Sequence, residues 1–149
     1  MLNPAVEVDV DIMFGTFDDG PGFPDPPYSK DMIASLEKAE LLPGWYDEWI
    51  IHGQERIREF RVGALETMAD RCLKSGDVRT AIDASLAAIA VDPLRESAHE
   101  RLIQGHLAAG NRASAHRVYG NLHSRLDEEL GILPSAQLKS LITDSTNAV

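Results

Sequence analysis

The sequence predicts an all-α chain of antiparallel helix pairs, preceded by an irregular or extended N-terminal arm. Apolar side chains recur at three- and four-residue spacing through most of the chain after Ser29, the period of a one-faced helix. Glycine and Asp-Pro breaks separate these stretches at helix-length intervals. The apolar content is rich in Ala and Leu, while aromatics are only 6%, which suits closely packed helices better than a sandwich or barrel. At 149 residues the chain can bury a core of its own without disulfides or a structural metal.

Residues 6–12 alternate Val, Val, Val and Ile with Glu, Asp and Asp, the period of a half-buried strand. A lone strand must pair with something, another copy or another domain; the rival reading is an extended acidic arm. Residues 15–28, GTFDDGPGFPDPPY, hold too many Gly and Pro for a regular element. Their acids, Asp18, Asp19 and Asp25, lack the ligand spacing of a calcium loop and read as solvated. Residues 1–28 therefore form an arm and loop, 29–143 a helical domain and 144–149 a tail.

Ser29 caps a first helix over 29–40, with Met32, Ile33, Leu36 and Ala39 on one stripe; Pro43-Gly44 breaks it. A long helical stretch follows over about 47–75 through Trp49, Ile50, Ile57, Phe60, Ala64, Met68 and Cys72; Gly53 and Gly63 weaken it and are the places where it could kink or split, and Gly76 stops it. Asp77 caps a helix over 78–91 whose inward residues are Ala81, Ile82, Ser85, Leu86 and Ile89. Asp92-Pro93 reads as cap and first-turn proline of the next helix, which ends at Gly110. Asn111 caps a helix with Ala115, Val118, Tyr119, Leu122, Leu126 and Leu130 inward, closed by Gly131 and Pro134. Ser135 caps a short last helix through Leu138, Leu141 and Ile142, and the polar tail after Thr143 is expected to fray.

The chain is self-similar at a shift of 34 positions: Glu66 falls on Glu100, Met68 on Leu102, Leu73 on Leu107, Gly76 on Gly110, Asp77 on Asn111 and Ala81 on Ala115. That period is the one of the tetratricopeptide repeat. Ala81 and Ala115 supply the small residue where paired helices cross, Pro93 the proline and Tyr119 the large aromatic of the second helix. The Trp and Tyr positions hold Leu65 and Cys72 in one copy, and His99 and His106 in the other. The pair is thus degenerate, and its flanking helices must act as caps, because short stacks are seldom stable alone. A short superhelix of such pairs is the expected architecture.

The stretches LLPGWYDEWI (41–50), QERIREFRVGALETMA (54–69), VDPLRESAHERLI (91–103) and LDEELGILPSAQL (126–138) resemble the bacterial transcriptional activator domain (BTAD), the tetratricopeptide-like module of antibiotic-pathway regulators. The resemblance covers about residues 8–142. In that family the module usually follows a winged-helix DNA-binding domain, and Val8-Asp9-Val10 resembles the point where the chain leaves it. No room for a winged helix precedes Val8, and the Gly/Pro-rich loop replaces the family's first helix. The resemblance implies a role in transcription regulation through protein contacts: self-association as a homodimer, or engagement of RNA polymerase, its sigma factor or a winged-helix activator. The alternative is a general peptide-binding adaptor unrelated to transcription.

The formal net charge of −10, from 24 acidic and 14 basic side chains, disfavours direct nucleic-acid binding, since phosphates are repelled unless cations cluster. No apolar run approaches the roughly 20 residues of a membrane span, and no signal-peptide pattern opens the chain. The single Cys72 excludes an internal disulfide, which is compatible with a reducing compartment. The expected location is cytoplasmic.

Candidate contact residues follow from the repeat phase. In tetratricopeptide folds the first helix of each pair lines a concave groove, which places Glu66, Asp70 and Lys74 on it from one copy and Ser97, Glu100 and Gln104 from the next. The alternative is an ordinary solvated face. Arg56, Arg58 and Arg61 form a basic cluster characteristic of the resemblance, suited to an acidic partner or to ion pairing with Glu55 and Glu59. Trp45 and Trp49, with Tyr46, are either interface anchors or core. His99 and His106, like His116 and His123, stand seven apart, about 10 Å along a helix and too far for one metal ion. They read as packed residues. No phosphate loop, nucleophile elbow or paired-carboxylate arrangement occurs, so no catalytic residue, cofactor or metal is expected.

Overall fold

The computed structural model describes residues 27–38 and 48–147. The strand-like segment 6–12, most of the Gly/Pro-rich loop, Ala39, Trp45 and Tyr46 lie outside the described residues, as does the side chain of Trp49. Within them the chain is all-helical and tetratricopeptide-like: α1 (Lys30–Lys38), α2 (Glu48–Ser75), α3 (Val78–Val91), α4 (Glu96–Ala108), α5 (Arg112–Leu130) and α6 (Ala136–Asn147).

The caps explain most boundaries. Ser29 Oγ accepts the Met32 N–H at 3.1 Å, Asp77 Oδ1 that of Thr80 at 3.2 Å and Asn111 Oδ1 that of Ser114 at 3.3 Å, each satisfying an orphan donor of a first turn. Gly131 closes α5 in the left-handed region at φ 65°, where a side chain would be strained.

One open boundary is settled and two differ from expectation. Gly53 and Gly63 do not split α2, which is continuous. No neighbouring atom lies within 4 Å of where a Cβ of Gly63 would sit, so that glycine is merely tolerated. Asp92 ends α3 rather than starting α4: its N–H bonds the Ala88 carbonyl, and the chain turns through Pro93 and Leu94 before Arg95 opens α4 without a side-chain cap. Finally, α6 runs past Thr143 to Asn147, with Thr146 Oγ1 bonding both the Ile142 carbonyl at 3.1 Å and His116 Nε2 at 3.3 Å.

Helix α3 lies at the centre, packed against α1, α2 and α4. Its sequence VRTAIDASLAAIAV shows why. Ala81, Ala84, Ala87 and Ala88 are all buried, so small side chains let three neighbours approach closely. Ser85 is buried with them, its hydroxyl satisfied by the Ala81 carbonyl at 2.8 Å. Leu86, expected inward, is instead 49% exposed; α3 turns that side to solvent. Leu130 is likewise 56% exposed, at the end of α5 and beyond the reach of the core.

The core divides into two clusters. One joins α1, α2 and α3 around Leu65, Met68 and Cys72, and Tyr28 packs into it. The other joins α4, α5 and α6 around Ile103, Leu122 and Leu138. Each repeat's apolar face is thus closed by a flanking helix, α1 through Ile33 and Leu36 and α6 through Leu138 and Ile142.

Candidate interaction surfaces

The first helices of the two pairs, α2 and α4, pack beside each other and carry a ladder of charges across their seam. Arg95 Nη1 donates to Glu59 Oε2 at 2.7 Å and lies 3.7 Å, through Nε, from Glu66 Oε1. Arg101 Nη2 donates to Asp70 Oδ2 at 2.9 Å and approaches Glu66 at 3.6 Å. Glu66, itself buried, also accepts from the Ser97 hydroxyl. The hydrogen bond to Glu59 raises the Arg95 guanidinium further above its ordinary value, partial burial opposing and Glu66 assisting. Arg101 Nε is buried without a hydrogen-bond partner, which marks the guanidinium as held by its two Nη groups.

The ladder continues onto α6. Glu100 Oε1 accepts from Gln104 at 3.3 Å and from Gln137 at 2.9 Å, and Glu96 Oε2 accepts the Ser135 N–H at 2.8 Å, capping the last helix from outside. Five of the six groove residues expected from the repeat phase, Glu66, Asp70, Ser97, Glu100 and Gln104, therefore lie on one polar ribbon whose groups are engaged with each other or with α6. Lys74 stands exposed near the end of α2. The cations of the ribbon, Arg95 and Arg101, were not anticipated. For Arg101 a signal is present: it follows Asp70 by 31 residues, as Ser97 follows Glu66, a repeat period less most of one helical turn.

The arginine cluster separates. Arg56 is exposed, and Arg58 pairs with Glu55 at 2.6 Å on the surface of α2. Arg61 turns inward: it is buried and donates to the carbonyl oxygens of Leu36 and Glu37 in the last turn of α1. It thus supplies donors and positive charge where helix carbonyls are unpaired.

On the opposite side, α3, α4 and α5 frame an open cleft of about 500 Å³, with Leu86, Ile89 and Val118 on its walls and His99 and Arg125 among its lining. His99 is buried and its Nδ1 sits 2.9 Å from the Arg95 carbonyl, so Nδ1 carries the proton. Burial pushes this imidazole below its ordinary value, the Arg95 carbonyl opposing and Arg125 adding to the shift. Burial and then Arg117 lower His106 in the same way. Cys72 is fully buried and its thiol is pushed up to about 11 by burial and then by Asp77, which leaves it a core residue without nucleophilic character. Among the described residues no group of three His, Cys, Asp or Glu side chains could hold a metal ion, and no helix is long and apolar enough to cross a membrane.

Stacked helix pairs with alanines at the crossings, closed at both ends by a flanking helix, define a tetratricopeptide-like repeat scaffold. This chain belongs to the bacterial transcriptional activator domain family, whose model matches residues 34–144. It is 33% identical over 105 residues to regulatory protein AfsR of Streptomyces griseus, a match covering 70% of this chain and 10% of that protein. It is 35% identical over 117 residues to regulatory protein AfsR of Streptomyces coelicolor, covering 76% of this chain and 12% of that one. The chain thus spans about a tenth of the length of these relatives. No solved structure matches it. Its membership associates the chain with bacterial transcription regulation.

Proposed function

We propose that this chain is a non-catalytic protein-binding module of bacterial transcription regulation. Its partner is RNA polymerase, its sigma factor or a winged-helix activator, and it works by protein contacts rather than by reading DNA. The observation that carries this is the use made of its ionisable groups. In the ribbon from α2 to α6 they are paired across helices, holding the stack together, instead of converging on a reactive pocket. The relatives are named as regulatory proteins, which supports the transcriptional setting. The net charge of −10 supports a protein partner over a phosphate backbone. A general peptide adaptor would need the groove side chains free to meet its peptide, and the ladder already engages most of them.

The test is retention on purified components. Immobilised chain should hold RNA polymerase holoenzyme or a winged-helix activator from the same host, and should give no specific DNA footprint at physiological salt. A footprint by this chain alone, or retention of neither protein, would remove the proposal.

A further inference from the structure

Among the described residues four large hydrophobic side chains are exposed, and three of them, Leu130, Ile132 and Leu133, fall in one run of four residues at 56%, 47% and 69% exposure. The run is not a loose loop. Gly131 N–H bonds the Asp127 carbonyl at 2.9 Å, the single bond of a left-handed helix cap, and Ile132 N–H reaches back to the Leu126 carbonyl at 3.3 Å. Past Pro134, the Ser135 N–H is held by Glu96 at 2.8 Å. Apolar side chains are thus displayed in water on a backbone fixed at both ends, an arrangement that marks contact surfaces. Its surroundings are acidic. Asp127, Glu128 and Glu129 are exposed on the turn before it; the flanking cations are Arg125, already 3.3 Å from Glu129, and Lys139, a turn into α6.

We propose that the Leu130–Leu133 tip docks a cationic amphipathic segment of a partner protein. Apolar side chains of that segment cover Ile132 and Leu133, while its Lys or Arg residues meet Asp127 and Glu128. The charge selects this occupant. Anionic lipid and nucleic acid are repelled by the rim, and a second copy would bring like-charged rims together. A cationic partner gains long-range attraction and then buries apolar surface, the division of labour usual at interfaces. The proposal rests on the reading of the chain as a protein-binding module and names the chemistry of the partner surface.

The probes are three short fluorescent helical peptides: a Leu/Lys amphipath, a Leu/Glu amphipath, and a Ser/Lys peptide of equal charge without an apolar face. The Leu/Lys peptide should bind and the other two should not. The double variant Ile132→Ser, Leu133→Ser should weaken binding about tenfold or more, and Asp127→Asn, Glu128→Gln several-fold, the latter effect vanishing at high salt. All four side chains are exposed, so melting temperatures should hold, and circular dichroism checks this. Equal binding of the Leu/Glu peptide, unchanged Leu/Lys affinity in the Ile132/Leu133 variant, or no binding at all would overturn the proposal. So would a dimer in sedimentation that this variant dissociates, since the occupant would then be a second copy. The same variant on immobilised RNA polymerase separates the two readings. Retention by wild type and variant alike sinks the tip and spares the proposed function. Peptide binding at the tip without retention of polymerase or activator does the reverse.

Discussion

At Arg61 a long cationic side chain of α2 fastens the preceding helix, α1, to it. Its guanidinium donates to the Leu36 and Glu37 carbonyls, and the residue is buried between α2 and α1. Arg61→Ala would leave those carbonyls without their donors and unfasten α1; chemical denaturation should show a loss of about 2 kcal/mol or more. Arg61→Lys should not restore it, since a single ammonium cannot fork to two carbonyls. His99 gives the residue-scale pH dependence. Its folded-state value lies below its ordinary one, because burial disfavours the imidazolium. Between those two values the unfolded chain binds the extra proton, so stability rises with pH there and falls as the solution is acidified through the ordinary histidine range. His106 acts with the same sign. The melting temperature should therefore drop from pH 7 towards pH 5, and His99→Gln should flatten part of that drop.

At the scale of elements, the closeness of α3 to its neighbours is what the fold depends on. Ala81 is fully buried, and Gly105 on α4 meets α3 so closely that a Cβ there would lie 2.8 Å from Ile82 Cγ1. Two helices that approach this far tolerate no added volume. Ala81→Leu should cost about 1–3 kcal/mol by overpacking, and Gly105→Leu a similar amount. Gly105→Ala is the more discriminating variant. In an exposed helix that change stabilises by about 0.5–1 kcal/mol, whereas here it should destabilise, because Ile82 must move. Unchanged melting temperatures for all three would remove the close crossing of α3 and α4.

For the whole molecule, two degenerate repeats cannot close their own faces, and α1 and α6 do it for them. Ending the chain after Pro134 would uncover the surface that Leu138 and Ile142 shield, at a cost of about 3–6 kcal/mol from those two side chains alone. Such a chain should unfold at markedly lower denaturant and bind a hydrophobic dye. The acidic balance also belongs to this scale. It sets which macromolecules can approach, so that partner choice in the proposed function is governed by the summed field as much as by any one contact.

The helices and their order are legible in the amino-acid pattern. Helix period, caps such as Asp77 and Asn111, stops such as Gly131 and the phase of the repeat are local signals, each carried by residues within a turn or two of where it acts. Family membership rested on the same kind of pattern. Which polar residues hold the helices together is fixed by how those helices pack. Glu66 and Asp70 read equally well as groove lining or solvated face until Arg95 and Arg101 are seen beside them, two helices further on. Arg61 could not be told from Arg58 until α1 came to rest against it. Leu86 and Leu130 continued their helices' apolar stripes and yet face water, because burial depends on where the neighbouring helix ends. Such partnerships join positions 24 to 39 residues apart, and a one-dimensional pattern records a residue's chemistry without recording its neighbour across the seam.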